Sequence, residues 1–161
     1  MLSLEYIPKH QERDYAILSD WFKKFQADFL IIPDSPKMRP TPEACIVSVL
    51  FGKGLGVDVI PSIAASGRRE ERVESLLLGL KYAGIKKVAV VGGDYRKAEE
   101  LNGSQMAKKA KEILGAESFI VCGSHLVLDK ANKKLLESKI TNGAEMIISQ
   151  PAFDIWSAQN F

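Results

Sequence analysis

The chain of 161 residues predicts an α/β protein of repeated βα units around a parallel sheet. Three observations carry this expectation. Six short apolar runs, at residues 2–7, 29–32, 57–60, 87–91, 118–122 and 146–149, recur about every 25–30 residues. Each is rich in Val, Ile or Phe, too short for a helix, and mostly unbroken rather than alternating, as suits parallel strands covered by helices. Between them lie amphipathic stretches that open on capping residues and close on glycine.

Taken in order, residues 12–25 predict the first helix, with Tyr15, Leu18, Phe22 and Phe25 turned inward. Thr41-Pro42-Glu43 reads as an N-cap followed by Pro at the first helical position. It opens a helix reaching Gly52, on which Ala44, Val47, Leu50 and Phe51 share one face. Residues 70–83 place Val73, Leu76, Leu77 and Leu80 at helical spacing and stop at Gly84. Ser104 caps a helix ending at Gly115, Asp129 caps another ending at Gly143, and residues 154–161 read as the start of a sixth.

No linker or low-complexity segment interrupts this order, so residues 1–161 are read as one domain. A doubly wound open sheet and a (β/α) barrel both accept it. A full barrel needs eight units and about 250 residues, so six strands would leave backbone groups on the first and last without neighbours. Self-association, a partner chain or further C-terminal sequence is expected to cover those edges.

The formal charge of +2 gives no argument for nucleic acid or an acidic membrane surface. Cys45 and Cys122 lie in apolar runs without metal-ligand spacing and read as core residues in a reducing compartment. Neither a long apolar segment nor a basic-then-apolar N-terminus is present, so a cytoplasmic protein is expected. No metal site is expected.

Ligands gather at the carboxyl ends of strands in either architecture, and here those ends are polar. Glu5 lies in the first strand, Asp34-Ser35 follow the second, Ser62 the third and Gly92-Gly93-Asp94 the fourth. Ser124-His125 follow the fifth, and Gln150 ends the sixth. A Glu facing a barrel interior suits general acid work, whereas on an edge strand it points to solvent. Gly92-Gly93 lets a backbone approach a ligand, or is an ordinary tight turn. His125 has no visible carboxylate partner. Arg68 and Arg69, beside Glu70 and Glu71, read as a solvated helix start or as phosphate contacts. No Gly-x-Gly-x-x-Gly fingerprint or P-loop follows the first strand, which disfavours an open-sheet nucleotide module.

Three segments resemble the methylenetetrahydrofolate reductase family. They are Leu4-Glu5-Tyr6-Ile7-Pro8, the stretch from Ala83-Gly84-Ile85 to Gly93-Asp94, and the stretch from Asn142-Gly143-Ala144 through Ser149-Gln150-Pro151 to Phe153-Asp154. The resemblance implies a TIM-barrel fold with about six of its βα units present. It implies reduction of methylenetetrahydrofolate through FAD, with NADH or NADPH as electron donor. Carried over by position, Glu5 would be the general acid, Asp94 would sit beside flavin and pterin, and Gln150 would hydrogen-bond the folate. Ser62, Gly93, Asp94, Ser124 and Lys139 would hold the cofactor, Lys139 at its phosphates. Ser62 and Ser124 stand where many members carry His and Tyr, and the last two βα units are absent. A flavin-free folate-binding or regulatory paralogue without reductase activity is the alternative.

Overall fold

A computed structural model describes residues 2–36, 39–93, 95–126, 129–150, 154, 155 and 159. Eleven elements alternate: β1 (Ser3–Glu5), α1 (Gln11–Phe25), β2 (Phe29–Ile32), α2 (Ala44–Leu55), β3 (Val59–Ala64), α3 (Glu70–Tyr82), β4 (Lys87–Val91), α4 (Gly103–Leu114), β5 (Phe119–Ser124), α5 (Lys130–Thr141) and β6 (Met146–Ser149). The six strands lie parallel in chain order, β1-β2-β3-β4-β5-β6. That order has no point where winding reverses, so the doubly wound alternative is excluded. The sheet curls into a half-barrel.

Strand alternation sorts side chains into two layers. Leu30, Ile32 and Val59 pack with Leu18 of α1 and with Ala44 and Phe51 of α2. Farther along, Ile63, Val88, Val90, Ile120 and Cys122 pack with residues of α3 and α4, including Leu77, Leu80, Met106 and Ala110. Each of these fully buried aliphatic side chains contributes about 1.5–3 kcal/mol. The opposite, concave layer is built from strand residues: Phe29, Ile31, Ile60, Ala89 and Val121, with Phe119 and Met146 partly buried beside them. Helices therefore cover one face, and the concave face is left for the loops and whatever binds there.

The limits of five elements differ from the sequence expectation. β3 begins at Val59 and runs to Ala64, because left-handed Gly56 ends α2 and exposed Asp58 turns to pair with Lys87. Ser62 is consequently inside a strand, in register with Ala89. β1 is only Ser3–Glu5, whereas β5 continues to Ser124. Helix α2 starts after Glu43, whose carboxylate accepts from the Ile46 N–H at 3.0 Å, so Thr41 is not its cap. Its buried face is Ala44, Cys45, Ser48 and Phe51, and Leu50 is exposed. Asn102, not Ser104, caps α4, in a reciprocal box with Gln105. Ser104 is instead buried and bonds Ser138 of α5. Phe25 is exposed, and buried Asp14 takes an inward place on α1 beside Leu18. Asp14 accepts from the Tyr6 hydroxyl and the Lys9 and His10 backbone N–H groups, which fixes the entry to α1.

The sheet edges match the expected incompleteness: β1 pairs only with β2, and β6 only with β5, among the described residues. No helix among these residues is long and apolar enough to cross a membrane.

Candidate functional site

A hollow of about 550 Å³ opens at the carboxyl ends of β2, β3 and β4. Ala64 and Val91 form its floor, paired in register at the ends of β3 and β4. Asp34, Ser66, Arg68 and Gly93 supply the nearer walls, and Arg39 and Tyr95 the rim.

Its geometry is fixed by one carboxylate. Asp34, with a side chain 5% exposed, accepts the Ala64 N–H at 2.9 Å and both terminal nitrogens of Arg68, one of them at 3.0 Å. Arg68 also donates to the Ala64 carbonyl at 2.7 Å. These bonds tie the β2–α2 loop to the end of β3. Gly67 and the β4–α4 loop are joined by Glu100, which accepts from the Gly67 and Lys97 N–H groups at 2.9 Å each.

Gly93 sits with φ +89°, and a Cβ there would lie 2.5 Å from the Ser66 Cβ. Only glycine permits this approach of the two loops. Ser66 Oγ is buried beside it without a hydrogen-bond partner among the described residues.

The site residues expected from sequence fall into separate places. Gly93 lines the main hollow, and Asp94 lies outside the described residues. Ser62 is half-buried on the concave face with Ile60 and Ala89. Glu5 is exposed on β1, in register with Ile31, and borders a different hollow of about 410 Å³ with Tyr6, His10 and Arg13.

Ser124, Gln150 and Lys139 gather at the far side of the sheet. The Gln150 N–H donates to the Ser124 carbonyl at 3.1 Å, and Ser124 Oγ to the His125 carbonyl at 3.2 Å. Lys139 Nζ donates to the Gly123 carbonyl at 2.6 Å and packs against Gly103. Arg68 and Asp34 were legible as polar residues but not as a pair. Their charge complementarity across adjacent strand ends was the available signal.

Burial pushes the Cys122 thiol up to about 11, against a small opposing effect of Lys139. Burial likewise raises Cys45, helped by Glu43 and Asp34. Neither thiol suits nucleophilic work. No three His, Cys, Asp or Glu side chains cluster as a metal site among the described residues.

No family model and no curated protein matches the sequence. Among solved structures, the fold is similar to an uncharacterized protein from Clostridium thermocellum that binds two copies of 5-methyl-5,6,7,8-tetrahydrofolic acid. The TM-score is 0.65 at 15% identity, over 99% of this chain and 57% of that one. The chain thus spans little more than half the length of that protein, and at such identity the likeness is one of fold.

These findings overturn the reductase-family resemblance. The physical reason lies in the segments that suggested it. Gly84 and Gly143 both have positive φ, 78° and 100°, between a helix and the next strand. Ala-Gly-Ile and Asn-Gly-Ala are therefore turn chemistry that any parallel βα repeat needs, and carry no family information.

Proposed function

We propose that this chain binds a reduced folate, without flavin, in the hollow at the carboxyl ends of β2–β4. The observation that carries the reading is the hollow itself. An apolar floor of Ala64 and Val91 with convergent polar groups from Arg68 and Ser66 is the kind of site that takes a flat heterocycle. Its place at strand carboxyl ends is where α/β folds hold ligands. The methyltetrahydrofolate bound by the structurally similar protein supplies the ligand class. Flavin, nicotinamide and the reductase roles of Glu5, Asp94, Gln150, Ser62, Ser124 and Lys139 followed from the resemblance alone and lose their support with it.

The half-barrel is read as part of a TIM-type barrel, closed by further strands from a second copy, a partner or further sequence of the same protein. The edges of β1 and β6, unpaired among the described residues, support this.

Calorimetric titration with 5-methyltetrahydrofolate, and in parallel with FAD, tests the function. Saturable folate binding by colourless protein is expected. Tight FAD binding with no folate heat would contradict the proposal.

A further inference from the structure

The two arginines of the hollow are in different electrostatic states. Arg68 faces Asp34 through a bidentate ion pair, and its remaining Nη1 hydrogen goes to the Ala64 carbonyl. A guanidinium has five N–H donors in a rigid plane, so these three bonds leave two. What Arg68 offers a ligand is a pair of fixed donors whose charge Asp34 already cancels. That suits a neutral carbonyl oxygen, because an incoming carboxylate would meet the Asp34 charge beside it. Arg39 is the opposite case. It is exposed at the rim, and its side chain has no hydrogen-bond or ion-pair partner among the described residues. Its full charge suits a carboxylate, and its exposure suits a flexible group reaching into solvent.

We infer that the hollow reads its ligand from both ends: Arg68 donates to the carbonyl oxygen of a flat heterocyclic head, and Arg39 pairs with a carboxylate on the tail. This rests on the folate reading, since a folate carries both a pterin carbonyl and a glutamate tail. Asp34 acts through Arg68 and is a positioning residue.

The test is calorimetric titration with two probes: 5-methyltetrahydrofolate, and 6-methyltetrahydropterin, which has the head without the tail. Arg39→Met, an exposed change that leaves the fold intact, should weaken folate binding about three- to tenfold and leave the pterin unchanged. The double change Asp34→Asn/Arg68→Met removes both charges of the pair together, so no buried ion is left alone. It should weaken both probes by a similar factor, about 10–100. Loss of folate binding alone in the double variant would place the tail at Arg68 and overturn the inference. So would an Arg39→Met effect that is equal on both probes or absent. Wild-type protein that binds neither probe would overturn the folate reading itself, and the inference with it.

Discussion

Arg68 and Asp34, 34 residues apart in the chain, meet as a forked ion pair that locks the carboxyl end of β2 to that of β3. The Asp34 side chain is 5% exposed and that of Arg68 21%, so the pair is largely shielded from water. Removing the cation strands a buried carboxylate. Arg68→Ala is expected to cost about 2–4 kcal/mol in urea unfolding. Lys87→Ala breaks the pair with Asp58, where the side chains are 42% and 51% exposed, and should cost under about 1 kcal/mol. Equal losses would show that the Arg68 pair is no more than a surface contact.

Gly93 gives a second prediction. Gly93→Ala combines a left-handed backbone with a Cβ placed 2.5 Å from that of Ser66. Gly67→Ala, at φ +74° with open space around it, carries the backbone strain alone. We expect about 1 kcal/mol for Gly67→Ala, and a larger loss for Gly93→Ala with weakened ligand binding. Thermal melts and titrations of the two variants give the comparison. Equal melting points would mean that the two loops part without cost.

Much of this architecture was legible. The α3 face of Val73, Leu76, Leu77 and Leu80 is buried as its spacing requires, because a single apolar stripe leaves a helix one way to pack. The limits of β3 were not legible, since Val57 and Pro61 look equally strand-like or loop-like until Gly56 fixes where α2 stops. The site was harder still. Polar strand ends marked a rim, but which of them converge depends on loop conformations joining residues some thirty positions apart. Glu5 stood out as a carboxylate among apolar neighbours. That pattern equally describes an exposed edge strand, which is where Glu5 lies.

Tyr6 predicts an alkaline dependence of stability. Burial, then its hydrogen bond to the Asp14 carboxylate at 2.7 Å, raises the phenol from its ordinary 10 to about 12. Folding therefore favours the neutral phenol. The stabilisation is complete below pH 10, declines above it and is lost as the pH passes about 12. Tyr6→Phe should be less stable than wild type at pH 8, with a difference that narrows between pH 10 and 12. A constant difference across that window would refute the coupling.

Buried thiols give a fourth expectation. Cys45 and Cys122 are both free and buried, and burial holds both in the protonated form. A disulfide reagent at pH 8 should leave both unmodified in the native protein and titrate two thiols after urea is added. Rapid native labelling of either would show that its surroundings open readily.

The proposed site has a reduced folate lying over Ala64 and Val91 within reach of Arg68. A crystal structure of the protein soaked with 5-methyltetrahydrofolate tests it most directly. Density for the pterin ring is expected in the hollow between the β2–α2, β3–α3 and β4–α4 loops, with its carbonyl on Arg68. Density for the ring on the far side of the sheet, at Ser124 and Gln150, with an empty hollow at Arg68, would contradict it.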